Sequence, residues 1–168
     1  MENLKSEQKE IWLAGGCFWG VEAYLKKIEG VINTTVGYAN GNTLTPGYYD
    51  IPRTGHSETV HVIYDPVKIN LARLLKYYFA IIDPTLLNRQ GPDRGTQYRT
   101  GIYYKDEEDL SVINQAIKNE QKKYTKPIVT ETLRLQNFYP AEEYHRNYLD
   151  KNPQGYCHID LSIKPDLD

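Results

Sequence analysis

Cys17, Glu58 and Cys157 are the residues whose types and settings point to chemistry. Cys17 lies in Gly16-Cys17-Phe18-Trp19-Gly20, where an apolar run gives way to a helical pattern. Free backbone N–H groups and the helix dipole at such a junction favour an anion. They predict a thiol pKa below the ordinary ~8.5 and a nucleophilic thiolate. The flanking glycines leave the sulfur approachable. Phe18 and Trp19 cannot both face the core from a helix start, so at least one is expected to line a pocket beside the sulfur. The competing reading is that both cysteines are buried and structural.

Glu58 follows Gly55-His56-Ser57 and opens an alternating run in which Glu58, Val60, Val62 and Tyr64 share one strand face. A carboxyl facing apolar and aromatic groups has a raised pKa and holds its proton at neutral pH, as a general acid must. The competing reading is a solvated strand-end glutamate. Cys157, in Asn152-Pro153-Gln154-Gly155-Tyr156-Cys157-His158, is expected to be mobile and exposed, and so able to reach a distant sulfur and close a disulfide. A polar loop, Gly91 to Arg99, enters a strand where binding residues often sit. His56 and His61 lack the spacing of a metal site, and Gly15, Gly16 and Gly20 do not form a phosphate loop. No metal is expected.

These residues need elements to hold them. Ile11 to Ala14 reads as a buried strand closed by Gly15-Gly16. Val21, Tyr24, Leu25 and Ile28 then mark one helical face, ended by Gly30. Residues 31–38 and 58–64 read as strands, with a long loop at 39–55 between them. Asn70 caps a second helix carrying Leu71, Leu74, Leu75, Tyr78, Phe79 and Ile82 inward, ended by Asp83-Pro84. Residues 100–104 form a strand. A third helix opens on Asp106 to Asp109 and closes with Lys118, Lys122 and Lys123. Residues 130–136 alternate like a last strand, and 141–149 suit a short helix before an irregular C-terminal tail. This order predicts an α/β (α+β) two-layer sandwich with a ferredoxin-like core and a mixed sheet.

With 168 residues the chain suits one domain, spanning 1–168 and burying about two thirds of its unfolded surface. The 22 acidic residues against 20 Lys and Arg argue against nucleic acid or a membrane surface as main partner. No apolar run nears the ~18 residues that span a bilayer. The polar first residues show no signal peptide, so a cytoplasmic protein is expected. Two cysteines make no disulfide scaffold, and both should rest as thiols in a reducing cytoplasm. The 15 tyrosines suit strands and wet-edged packing.

Taken together, four motifs resemble the A-type peptide methionine sulfoxide reductases. They are Gly-Cys-Phe-Trp-Gly at 16–20, Gly-His-Ser-Glu at 55–58, Asp-Arg-Gly-Thr-Gln-Tyr-Arg at 93–99 and Asn-Pro-Gln-Gly-Tyr-Cys at 152–157, in the family's order. The resemblance implies reduction of methionine-S-sulfoxide, free or in oxidised proteins. It implies that Cys17 is the nucleophile, that Phe18 and Trp19 receive the substrate methyl group, and that Glu58 protonates the sulfoxide oxygen. Tyr48, Asp93 and Tyr98 would be polar pocket residues, with Tyr49 adjacent to Tyr48. Cys157 resembles the resolving cysteine. Many members have a further cysteine beyond it and this sequence has none, which implies one direct Cys17–Cys157 bridge, reduced by thioredoxin. No cofactor is implied. The rival readings are a thiol peroxidase and an aromatic-rich module binding peptide or sugar.

Overall fold

The computed structural model describes residues 8–41, 54–157, 159–165 and 167. Strand β1 (Lys9–Gly15) runs into helix α1 (Phe18–Leu25), and β2 (Val31–Ala39) returns beside β3 (Ser57–Tyr64). Helix α2 (Leu71–Ala80) is followed by the two-residue strands β4 (Arg89–Gln90) and β5 (Asp93–Arg94), then β6 (Thr100–Tyr104). Helix α3 (Glu108–Gln121), β7 (Glu131–Arg134), β8 (Phe138–Pro140) and the single-turn α4 (Tyr148–Lys151) complete the described elements. The sheet has six strands in the order β7-β6-β1-β3-β2-β8. All its pairs are antiparallel except β6 with β7. Its centre, β6-β1-β3-β2, has the β-α-β-β-α-β arrangement of a ferredoxin-like core.

One sheet face supplies Ile11, Leu13, Val36, Val60, Val62 and Ile102 to the main core, where Val21, Leu25, Leu74 and Leu75 of α1 and α2 cover them. Trp12, Ala14, Ala39 and Tyr103 point to the opposite face, under Leu135 and Phe138. That split is the period-two alternation of strands buried on both sides.

Several boundaries differ from those the sequence suggests. Helix α1 stops at Leu25 instead of reaching Ile28. Residues 26–29 turn, and Gly30 adopts φ +103° with its Cα against Ile69, where a Cβ would lie 2.5 Å from the Ile69 Cγ2 atom. The last strand is confined to 131–134, and β8, a three-residue edge strand, carries too little alternation to be read in advance. The expected helix over 141–149 is a 3-10 turn at Glu143–His145 followed by α4, separated by Asn147 at φ +53°. Asn70 caps α2 as expected, its Oδ1 accepting the Arg73 N–H at 2.8 Å. Most of the 39–55 loop, with Tyr48 and Tyr49, lies outside the described residues. No helix among the described residues is long and apolar enough to cross a membrane.

Candidate active site

Gly16, at φ +94°, turns the chain out of β1, and Cys17 becomes the N-cap residue of α1. Tyr78 of α2 secures this junction from below. Its hydroxyl donates to the Ala14 carbonyl at 2.6 Å and accepts the Gly101 N–H at 3.2 Å, tying the ends of β1 and β6 together. Every residue of α1 except Trp19 is buried, so the helix start is held on all sides.

The first free amide of α1 serves a carboxylate. Phe18 N–H donates to Glu58 Oε1 at 3.1 Å. Glu58 is 2 % exposed, so the solvated strand-end reading does not hold. Burial raises its pKa to about 8, against the lowering effect of the Phe18 hydrogen bond, and the Asp93 charge adds to the rise. Glu58 is therefore largely protonated at neutral pH.

The expected low thiol pKa of Cys17 is overturned. The thiol is 8 % exposed, and burial pushes its pKa well above the ordinary range. The charge of Glu58 pushes the same way, while a hydrogen bond from the Trp19 backbone opposes it. The helix terminus is present, but one of its amides is turned to Glu58 and desolvation outweighs the rest. Once Glu58 is ionised, its charge makes the Cys17 proton harder still to remove.

Aromatic groups enclose the pair. Phe18 lies inside the core, between Tyr38 (centroids 5.7 Å apart) and His145 (5.4 Å). Trp19 is half-buried. Its ring stacks on Tyr148 at 3.8 Å, and its Nε1–H donates to His145 Nδ1 at 3.1 Å. Burial holds the His145 pKa below the ordinary histidine value, which keeps Nδ1 an acceptor. Tyr38 is the register partner of Glu58 across β2 and β3, and its hydroxyl donates to Glu142 Oε1 at 2.8 Å. Sequence reasoning missed Tyr38, Glu142 and His145. The pairing of two β-prone runs around the 39–55 loop was the one signal available for Tyr38; Glu142 and His145 come from the tail.

Asp93 sits in β5, and its charge acts on both Cys17 and Glu58. Tyr98 ends the 3-10 turn Thr96–Tyr98, which packs against β3. Cys157 is less exposed than expected. It is half-buried, packed against the main core, and donates to the Ile159 carbonyl at 3.3 Å. Its Sγ lies where a Cβ on Gly20 would meet it at 2.9 Å, one helical turn beyond Cys17. Both cysteines are free thiols. The structure therefore brings Cys17, Phe18, Trp19, Glu58, Asp93 and Cys157 into one neighbourhood. Of the histidines considered as metal ligands, His56 pairs with Thr54 at 2.9 Å and His61 with Glu10 at 2.9 Å.

Residues 9–167 match the family described as Peptide methionine sulfoxide reductase. The chain is 61 % identical over 153 residues to Peptide methionine sulfoxide reductase MsrA of Clostridium acetobutylicum, covering 90 % of this chain and 94 % of that one. Among solved structures, it is similar to Mxr1 from Saccharomyces cerevisiae in reduced form, with TM-score 0.89, 38 % identity and 98 % and 96 % of the two chains covered. It is also similar to Mxr1 in complex with Trx2, with TM-score 0.65, 29 % identity and 88 % and 89 % covered.

Proposed function

The chain belongs to the peptide methionine sulfoxide reductase family, and on that premise we propose how its own residues carry out the reduction. The substrate is the S epimer of methionine sulfoxide, free or within a protein. The observation that carries the proposal is the buried Glu58 carboxyl, bonded to the amide that follows Cys17, where burial raises its pKa.

A sulfoxide sulfur is a poor electrophile because oxide is a poor leaving group. Glu58 donates its proton to the sulfoxide oxygen, and Cys17 Sγ attacks the activated sulfur. The thiol proton passes to the Glu58 carboxylate, so the acid is restored. The protonated oxygen then moves from the substrate sulfur to Cys17 Sγ as the sulfur–oxygen bond and the newly formed sulfur–sulfur bond both break, so that methionine leaves reduced and Cys17 is oxidised to a sulfenic acid. A high thiol pKa suits this order. A neutral Cys17–Glu58 pair keeps the proton that the oxygen needs, and the thiol is ionised only as that proton moves. Trp19, with Phe18 behind it, forms the apolar wall for the methyl group; Asp93 and Tyr98, with Tyr48, hold the polar parts of the substrate.

Cys157 then condenses with the sulfenic acid, releasing water and forming the Cys17–Cys157 disulfide. Thioredoxin reduces that bridge by thiol–disulfide exchange, as the Mxr1–Trx2 pairing supports. The reading requires no cofactor and places one reductase domain, 1–168, in a reducing cytoplasm. The test is Cys17→Ser for turnover, together with a sulfenic-acid trapping reagent on the Cys157→Ser chain. Loss of turnover and a label on Cys17 after one sulfoxide equivalent, in the Cys157→Ser background, support the reading. Turnover without Cys17 would overturn it.

A further inference from the structure

The C-terminal segment is pinned to α1 at one end and meets the site again at the other. Asn147 N–H donates to the buried Glu22 Oε1 at 2.8 Å, while Lys26 pairs with Asp150. Past α4 the chain returns to place Tyr156 over the site, where its hydroxyl donates to Asp93 Oδ2 at 2.7 Å. Tyr156 immediately precedes Cys157, whose sulfur packs on Gly20. Asp93 is the carboxylate whose charge reaches both Cys17 and Glu58. Tyr156 is 41 % exposed, so core packing does not hold it there.

We propose that Tyr156 is a positioning residue that acts through Asp93: its hydroxyl occupies the acceptor the substrate needs, so substrate entry and release of the Cys157 segment are one event. In the resting chain the Tyr156–Asp93 bond adds to the packing that holds Cys157 against Gly20 as a free thiol. A substrate that donates a polar hydrogen to Asp93 displaces Tyr156. The segment carrying Cys157 then keeps its Asn147–Glu22 anchor and the packing of Ile159 but loses its bond to the site, which loosens the resolving thiol as the sulfenic acid forms. The coupling rests on the reading of Asp93 as a substrate-binding residue.

The test is the half-saturating concentration of a blocked methionine-S-sulfoxide peptide in the single-turnover reductase step, for the wild type, Tyr156→Phe, Asp93→Asn and the double variant. A competing hydrogen bond lowers the fraction of binding-competent chain, so removing it raises apparent affinity. Tyr156→Phe is expected to lower the half-saturating concentration about threefold to tenfold, with the saturated rate little changed, the net scale of one solvent-accessible hydrogen bond. Asp93→Asn is expected to raise that concentration, and Tyr156→Phe to have a much smaller effect in the Asp93→Asn background. If Asp93→Asn raises it but Tyr156→Phe does not lower it, the coupling is overturned and the role of Asp93 stands. If Asp93→Asn changes nothing, the role of Asp93 itself fails and the coupling with it.

Discussion

The Phe18 amide donates to the Glu58 carboxyl at 3.1 Å, joining the helix start that carries the nucleophile to the strand that carries the acid. One backbone N–H thereby orients the proton donor toward the neighbourhood of Cys17. The helix terminus does not lower the thiol pKa here because burial outweighs the hydrogen bond from the Trp19 backbone, and the charge of Glu58 adds to the rise.

The first prediction concerns pH. Glu58 is protonated below about 8, so the single-turnover reductase rate is expected to hold through neutral pH and to fall as pH rises through about 8. Glu58→Gln should reduce the rate at pH 7 by roughly 100-fold or more, and the limb near 8 should vanish. The same shift acts on folding. Because the folded pKa lies above the ordinary 4.5, this group's contribution is complete below that value and is lost as pH climbs through about 8. Rate profiles and urea titrations of both proteins at pH 6 and pH 9 check the two statements.

Cys157→Ser should keep one stoichiometric turnover and lose thioredoxin-driven cycling, because the sulfenic acid forms without a partner to condense with. Methionine released per chain, counted with and without thioredoxin, distinguishes this from a loss of chemistry. Undiminished cycling would remove Cys157 as the resolver.

Gly20→Ala places a methyl group 2.9 Å from the Cys157 sulfur and 3.2 Å from Ile159 Cδ1, forcing the C-terminal segment outward. The first turnover should survive and the rate of disulfide formation should change, read by quenched-flow thiol counting. An unchanged disulfide rate would show that the packing of Cys157 on α1 is irrelevant to resolution.

Tyr78→Phe removes a fully buried hydroxyl that bridges the ends of β1 and β6 beneath Cys17. The expected cost is about 1–3 kcal/mol of folding stability, measured by urea unfolding, since Gly101 N–H loses an acceptor.

The reactive residues lay in short contiguous motifs, and for that reason the sequence exposed Cys17, Glu58 and Cys157 together with the main strands and helices. Strand alternation correctly put Glu58 among Val60, Val62 and Tyr64, and from that came its raised pKa. Helix polarity is legible locally, whereas the burial that raises the thiol pKa depends on the packing of the whole fold around Cys17. Cys157 was misjudged for the same reason. A Pro/Gly-rich segment reads as open until the Glu22–Asn147 bond and the Tyr148–Trp19 stack, both made over more than a hundred residues, show the tail packed on α1. Glu142 and His145 belong to such long-range contacts and have no motif of their own.

The most direct test of the account supplies each pure epimer of a methionine sulfoxide peptide with dithiothreitol and follows methionine release. Rapid turnover of the S epimer, negligible turnover of the R epimer and loss of turnover in Cys17→Ser are expected. Equal turnover of the two epimers, or none of the S epimer, would contradict it.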